Sequence, residues 1–189
     1  MIAAPPGHEA AAESAAARAA PEAEVAVVPG GASRAASIER ALAAVHGEVV
    51  AIHDAARPLV TADLVDRVIL RLGAEPGADA AIAASALTDT VKRARDRRGG
   101  GPGATVVERT LDRDLLWAAQ TPQAFRAAAL RAAQERAAAT GRLDAATDEA
   151  TLIELAGGRV LLEESAATNL KVTTGADLAA AEALIAARA

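Results

Sequence analysis

The chain alternates between short apolar runs and longer stretches with apolar residues on one helical face. The short runs predict buried strands at Val25–Val28, Glu48–His53 and Ala78–Ser85. The longer stretches predict helices at His8–Ala20, from Arg34 to about His46, and from a cap at Thr61 to a stop at Gly73. Because strands that alternate with helices form βαβ units, this half of the chain predicts an α/β fold with a Rossmann-like, mostly parallel sheet and helices on both faces.

The pattern changes after Leu87. Two short strands with alternating polar positions, Thr88–Lys92 and Thr105–Thr110, predict a protruding β-hairpin arm over residues 88–116 with a flexible, glycine-rich tip. Beyond the arm we expect helices from about Gln123 to Ala139 and from Asp148 to Ala156, strands at Arg159–Leu162 and Asn169–Val172, and a last helix that begins with a capping-box pattern at Thr174 and Asp177. Residues 1–189 predict a single domain.

Composition narrows the class of protein. The chain has 189 residues and a formal charge of −5, and an acidic chain of this kind lacks the basic face that binding to nucleic-acid phosphates requires. No apolar run approaches the length of a membrane span, and the absence of cysteine excludes disulfides and thiolate chemistry. We therefore expect a cytoplasmic protein that binds neither nucleic acid nor a membrane.

The segment His53–Pro58 is a candidate site because it follows a buried strand, and ligands of open α/β sheets bind at the carboxyl ends of strands. Asp54 is suited to a divalent metal and Arg57 to a phosphate, since hard metals take oxygen ligands and guanidinium pairs with phosphate oxygens. An ion pair that fixes the turn is an equal alternative. The three histidines show no metal-ligand spacing, and no role is assigned to them.

Two further segments combine polar residues with unusual surroundings. Pro29–Ser37 contains two glycines and two serines before a helix, where free backbone N–H groups can approach a base or a phosphate. An ordinary glycine turn with Ser33 as N-cap is the alternative that these residues alone favour. Lys171, one of two lysines, lies in a β-rich stretch and either extends its ammonium group to solvent or meets an anion in a cleft.

Six motifs in order resemble one family: Pro29-Gly30-Gly31 with Arg34 and Ser37, His53 to Pro58, Asp89 to Lys92, Thr121-Pro122-Gln123, Thr147 to Ala150, and Asn169 to Thr173. The chain resembles the 2-C-methyl-D-erythritol 4-phosphate cytidylyltransferases of non-mevalonate isoprenoid biosynthesis. The resemblance implies a single nucleotidyltransferase domain that depends on Mg²⁺. It would transfer CMP from CTP to methylerythritol phosphate and release pyrophosphate.

The resemblance also implies a role for individual residues. Asp54 matches the metal-binding aspartate, and Lys171 matches the lysine near the α-phosphate. Gly31 and Ser37 match cytidine contacts, whereas the second substrate is held at the positions of Arg57, Thr90, Arg113 and Thr121. In the family the arm exchanges across a twofold axis, so we expect a homodimer through the arm in which Thr90 and Arg113 serve the partner's site.

The resemblance is incomplete at the amino terminus. The family begins with a strand and a glycine-rich loop that wraps the triphosphate, and we expect both to be missing here, with the chain beginning in the family's second strand. We therefore expect these 189 residues to bind CTP weakly and to show negligible turnover. The alternatives are a cytidylyltransferase for ribitol 5-phosphate or a similar polyol phosphate, and a non-catalytic dimerising remnant.

Overall fold

The computed structural model describes residues 1–95, 105–143 and 146–188, so most of the predicted arm tip lies outside the described residues. Within the described part, the strands are β1 (Ile2–Ala4), β2 (Val27–Pro29), β3 (Val49–Ile52), β4 (Ala80–Ala86), β5 (Lys92–Ala94), β6 (Val107–Thr110), β7 (Trp117–Arg126) and β8 (Val160–Glu164). The helices are α1 (Glu9–Ala19), α2 (Arg34–Ala43), α3 (Ala62–Gly73), α4 (Ala127–Ala139), α5 (Glu149–Leu155) and α6 (Gly175–Ala186). Four strands form a sheet in the order β3-β7-β4-β8.

The chain divides into two compact units. The first comprises Met1–Val50, Gly77–Ala80 and Ala124–Val160, and the second comprises Ala51–Pro76, Ala81–Gln123 and Leu161–Ala189. No helix in the described ranges is long and apolar enough to span a membrane.

In the first unit, β1 and β2 form a parallel pair that aligns Ile2 with Val27 and Ala4 with Pro29. Helices α1 and α2 both contact this pair. The same unit contains helices α4 and α5, which contact each other and bury aliphatic side chains including Leu130, Leu152 and Ile153. Three alanines of α4, Ala127, Ala133 and Ala137, are buried as well.

In the second unit, α3 begins where the sequence predicts, because the Thr61 hydroxyl accepts a hydrogen bond from the Leu64 N–H at 3.2 Å. The apolar face of this helix buries Leu64, Val68 and Leu72. The last helix, α6, has the predicted capping box between Thr174 and Asp177. Strands β5 and β6 pair antiparallel, and their side chains are exposed along both strands.

Three predicted elements are wrong in place or type. The helix predicted from Gln123 starts at Ala127, because residues 117–126 form β7. This strand is buried over Gln120–Phe125, and a strand covered on both faces lacks the polar alternation that identifies strands in sequence. The first arm strand lies at Lys92–Ala94 rather than Thr88–Lys92, and Asn169–Val172 forms no strand, since side chains rather than a ladder hold that segment.

Candidate active site

Asp54 lies directly after β3, at the start of a turn closed by the Arg57 N–H, which donates to the Asp54 carbonyl at 2.9 Å. The Asp54 side chain is 15% exposed. Its position after a buried strand is the one that the sequence predicts for ligand chemistry. The turn therefore presents a nearly buried carboxylate at a strand end.

Thr121 of β7 holds this turn in place. Its hydroxyl accepts a hydrogen bond from the Asp54 N–H at 3.0 Å and lies 3.0 Å from Nδ1 of His53. The other ring nitrogen of His53, Nε2, is 3.1 Å from the Arg57 carbonyl. Because a carbonyl only accepts, Nε2 carries the proton and Nδ1 accepts from Thr121 in the neutral ring. His53, to which the sequence assigns no role, thus braces the turn.

Lys171 meets Asp54 in the same unit. Its Nζ donates to Oδ2 of Asp54 at 2.8 Å, and its side chain is 42% exposed. The next residue, Val172, fixes the main chain here, because its N–H donates to the Ala56 carbonyl at 2.8 Å. Both alternatives from the sequence are therefore realised in part: the ammonium group is partly exposed and also meets an anion.

Arg57 forms a second link between these segments. Its Nη1 donates to the Asn169 carbonyl at 2.7 Å. Partial burial lowers the pKa of the Arg57 guanidinium, and the nearby Asp54 carboxylate partly offsets this effect. An arginine starts from so high a pKa that the group stays cationic at physiological pH. The site therefore contains two cations and one carboxylate.

The second unit also contains a buried polar network that sequence reasoning missed. Oε1 of Gln120 accepts hydrogen bonds from Oγ of Ser165 at 3.0 Å and from Nδ2 of Asn169 at 2.8 Å. Nδ2 of Asn169 also donates to the Thr121 carbonyl at 2.9 Å, and Nε2 of Gln120 donates to Oγ of Ser85 at 3.3 Å. In the sequence, the one indication of these residues is their place beside predicted site residues: Gln120 precedes Thr121, and Asn169 lies two residues before Lys171.

The segment after Lys171 is fixed by exposed contacts. The Asp177 carboxylate accepts hydrogen bonds from the Thr173 N–H at 2.9 Å and the Thr174 N–H at 2.8 Å. These bonds favour the charged form and lower the pKa of Asp177 to about 2. The stabilisation is present above the ordinary pKa of 3.8 and is lost as the pH falls through 2.

Gly31 and Ser37 lie in the first unit, in the turn that joins β2 to α2. The Gly31 N–H donates to Oγ of Ser37 at 2.9 Å, and that hydroxyl donates to the Ser33 carbonyl at 2.9 Å. Ser33 is the N-cap of α2 through the Ala36 N–H. A Cβ at Gly31 would lie 2.4 Å from Cβ of Ala36, so the tight turn excludes any larger residue. The glycine is thus required by packing.

An ion pair anchors the end of this turn. Nη1 of Arg34 lies 2.7 Å from Oε2 of Glu149, whose side chain is only 3% exposed. Burial raises the pKa of Glu149, although Arg34 acts in the opposite direction. Arg40 adds a hydrogen bond from Nη1 to the Gly30 carbonyl at 2.7 Å. Two arginines of α2 therefore hold the glycine turn.

The two predicted substrate residues of the arm stay outside the Asp54 network. Thr90 is exposed. Arg113 is also exposed and donates from Nη1 to the Thr88 carbonyl at 2.5 Å. The structure therefore brings Asp54, Arg57, Thr121 and Lys171 together, whereas the roles of Thr90 and Arg113 stay predictions.

The chemistry of the donor set fits a magnesium ion held mainly by other ligands. The described residues contain no group of three or more His, Asp or Glu side chains that could hold a metal alone. Magnesium, however, is commonly bound by one or two carboxylates together with water and substrate phosphates. Asp54 provides one such carboxylate beside two cationic side chains, a setting that suits a polyphosphate.

A family model described as "IspD: 2-C-methyl-D-erythritol 4-phosphate cytidylyltransferase" matches residues 3–187. The chain belongs to this cytidylyltransferase family. The family resemblance inferred from the six motifs is therefore confirmed.

Individual relatives agree with the family model. The chain is 47% identical over 161 residues to a bifunctional enzyme IspD/IspF of Anaeromyxobacter dehalogenans, covering 85% of this chain and 39% of that enzyme. It is 46% identical over 142 residues to a 2-C-methyl-D-erythritol 4-phosphate cytidylyltransferase of Rubrobacter xylanophilus, covering 75% and 56%. The chain thus spans between 39% and 56% of the length of these two relatives.

Solved structures of the family confirm the Rossmann-like α/β class. The cytidylyltransferase of Thermus thermophilus superposes with a TM-score of 0.71 at 34% identity, covering 89% of this chain and 79% of that one. A 4-diphosphocytidyl-2C-methyl-D-erythritol synthase of Anaerococcus prevotii gives a TM-score of 0.83 at 26% identity, covering 97% and 79%.

Proposed function

We propose that this chain provides the active site of an enzyme that transfers CMP from CTP to 2-C-methyl-D-erythritol 4-phosphate. In the reaction, a phosphate oxygen of methylerythritol phosphate attacks the α-phosphorus of CTP. The bond from that phosphorus to the oxygen bridging the β-phosphate breaks, and pyrophosphate leaves with that oxygen. The observation that supports this assignment most directly is the 2.8 Å pair between Lys171 Nζ and Asp54 Oδ2.

The proposed roles follow from charge. The α-phosphate gains charge as the bond to the new oxygen forms, and a cation beside it lowers the barrier. Lys171 is placed for this task, because its partly exposed ammonium group can exchange the Asp54 carboxylate for a phosphate oxygen. Arg57, held by the Asn169 carbonyl, provides a second cation for substrate phosphate.

We propose that Asp54 binds Mg²⁺ when the nucleotide is present. The bound ion would supply positive charge at the triphosphate. Asp54 is suited to this role because the Thr121 hydroxyl fixes its backbone and burial of its side chain limits competition from water. Release of Lys171 from Asp54 would then free the ammonium group for the α-phosphate.

We propose that the turn at Gly31 and Ser37 contacts cytidine. Its support is the position of the turn between β2 and the N-terminus of α2, where backbone N–H groups can approach a base or a phosphate. Thr121 is proposed as a substrate residue because of its position in the family motif. Its buried hydroxyl already contacts the Asp54 N–H and His53. These contacts support a role in positioning the turn that contains Asp54.

A homodimer through the arm is part of the proposal. Exposed apolar side chains cluster in the sequence of the arm and directly after it, at Val106, Val107, Leu115 and Trp117. A two-stranded hairpin is marginal alone, and it gains stability when it and the apolar side chains beside it pack against a second subunit. Arg113 would then act in the partner's site.

We propose the cytoplasm as the location of the protein, as expected from its cysteine-free sequence.

The test is a substrate panel. The 189-residue chain, and an extended version with the genomic upstream segment translated in frame, are incubated with CTP, Mg²⁺ and either methylerythritol phosphate or ribitol 5-phosphate. We expect pyrophosphate and a cytidine diphosphate ester of methylerythritol from the extended chain, and far slower turnover from the shorter one. The Rubrobacter xylanophilus relative is the positive control.

Three other outcomes would revise the proposal. A preference for ribitol 5-phosphate would favour the polyol phosphate alternative. Absence of CTP binding by both chains in calorimetry would favour the dimerising remnant. Equal rates in the two chains would contradict the expected importance of the glycine-rich loop.

A further inference from the structure

Two buried amides, Gln120 and Asn169, connect in the second unit to the Asp54–Lys171 pair through Thr121 and the main chain before Lys171. Their residues are 6% and 4% exposed. The contacts of the two amides fix their orientation. Oε1 of Gln120 accepts from Ser165 Oγ and from Asn169 Nδ2, and a rotated amide would place its NH₂ group against the NH₂ group of Asn169.

The same argument fixes Asn169. Its Nδ2 donates to Gln120 Oε1 at 2.8 Å and to the Thr121 carbonyl at 2.9 Å, which are both pure acceptors. Its own Oδ1 is buried and has no hydrogen-bond partner among the described residues. The two bonds donated by Nδ2 are therefore the side-chain hydrogen bonds that hold Asn169 in place.

The segment that contains Lys171 needs such an anchor. Residues 165–174 lie between β8 and α6 and form neither helix nor strand. The main chain before Lys171 is held through Asn169, whose carbonyl accepts from Arg57, and the main chain after it through Val172. Without the Asn169 side chain, the segment would lose two of its hydrogen bonds to β7 and keep the one from Ser165.

The segments that carry both members of the ion pair are thereby held by two adjacent residues of β7, Gln120 and Thr121. The Thr121 hydroxyl holds the Asp54 N–H, and the Thr121 carbonyl with the Gln120 side chain holds Asn169. We propose that Gln120 and Asn169 are positioning residues that set Lys171 Nζ against Asp54. The consequence for catalysis rests on the proposed function, whereas the effect on the position of Lys171 does not.

The chain offers a direct measurement, because Lys171 and Lys92 are its two lysines. In protein labelled with ¹³C and ¹⁵N in lysine, the ¹³Cε and ¹⁵Nζ resonances report each ammonium group separately. Asp54→Asn calibrates the shift of Lys171 on loss of the pair. Thr110→Val is the matched control, since Lys92 Nζ donates to Oγ1 of Thr110 at 2.7 Å.

We expect Asn169→Ala to move the Lys171 resonances at least halfway towards their Asp54→Asn positions and to leave those of Lys92 unchanged. Gln120→Met, which keeps the side-chain length and removes the amide, should move them in the same direction. Thr110→Val should move Lys92 alone. If Asn169→Ala fails to fold, the Gln120→Met variant still tests whether the amides position Lys171. Unchanged Lys171 resonances in a folded variant would overturn the proposal.

Kinetics provide the second test. In the chain that transfers CMP, Asn169→Ala should lower kcat about 10- to 100-fold, because displacement of a catalytic group by about 1 Å has effects of this size. KM for CTP should change less than kcat. In a Lys171→Ala background, Asn169→Ala should cause little further loss, whereas multiplying losses would contradict a role through Lys171. Failure of CMP transfer by the extended wild-type chain would refute the proposed function and leave the resonance test decisive.

Discussion

The Asp54–Lys171 site and the Gly31–Ser37 turn follow strand ends, but they are assembled differently. Most contacts of the glycine turn are local: Ser33, Ser37 and Arg40 all lie within ten residues of Gly30. The Asp54 site instead combines three distant segments through the buried Gln120 and Asn169 amides. A turn can therefore be specified by its own sequence, whereas the placement of an ion pair depends on residues elsewhere.

The largest effect should come from Asp54→Ala. We expect CMP transfer to fall about 100- to 1,000-fold, because loss of one preorganised charge-stabilising group costs roughly 3 to 4 kcal/mol in the transition state. The measurement is pyrophosphate release against Mg²⁺ concentration. Asp63→Ala is the control, since Asp63 is an exposed carboxylate of the same unit that pairs with Arg67. A near-normal rate with unchanged metal dependence in the Asp54 variant would refute its assignment.

The second effect concerns the arm. If Arg113 acts in the partner's site, mixing Arg113→Ala subunits with Asp54→Ala subunits should restore up to about a quarter of wild-type activity, since half of the dimers are mixed and have one intact site. The assay follows CMP transfer after subunit exchange has been verified by mass. No recovery in exchanged dimers would argue against a shared site.

The glycine turn should be sensitive to a single methyl group. Gly31→Ala places a Cβ 2.4 Å from Cβ of Ala36. Overpacking of this kind costs about 1 to 3 kcal/mol of the free energy of unfolding, which urea denaturation would measure. Gly73→Ala is the matched control, because nothing lies within 4 Å of a Cβ there, and its stability should be unchanged or higher. Equal stability of both variants would show that the turn relaxes.

A smaller, pH-dependent effect is expected at Glu149. Burial raises the pKa of this carboxyl, so the folded state binds its proton more tightly than the unfolded state. Its contribution to stability is therefore greatest below the ordinary pKa of 4.5 and declines as the pH rises through the higher folded value. Glu149→Gln should lose this dependence, so its stability relative to wild type should increase with pH in denaturation curves. A constant difference would contradict the prediction.

Local chemistry accounts for what the sequence predicted correctly. The Ser33 and Thr61 caps and the box at Thr174 and Asp177 each depend on residues three positions apart, which a sequence displays directly. Asp54 is a candidate for the same kind of reason, because a polar turn after a buried strand is also local, and its role stays a prediction. The six motifs then identified the family.

The parts that failed depend on long-range contacts. Gln120 is 45 residues from Ser165 and 49 from Asn169, so no local pattern indicates their network. Residues 123–126 have helix-forming neighbours, yet burial of both faces places them in β7. Asn169–Val172 has strand-like composition, but the Asn169 side chain takes the contacts to β7 and no ladder forms.

A double-mutant cycle on CMP transfer with Asp54→Ala, Lys171→Ala and the combined variant tests the proposed role of the ion pair most directly. We predict large losses in both single variants and a combined loss no more than about threefold beyond the worse single variant, because the two side chains act as one unit at 2.8 Å. A wild-type rate for Lys171→Ala, or single losses that multiply in the combined variant, would contradict the claim that this pair is the site of cytidylyl transfer.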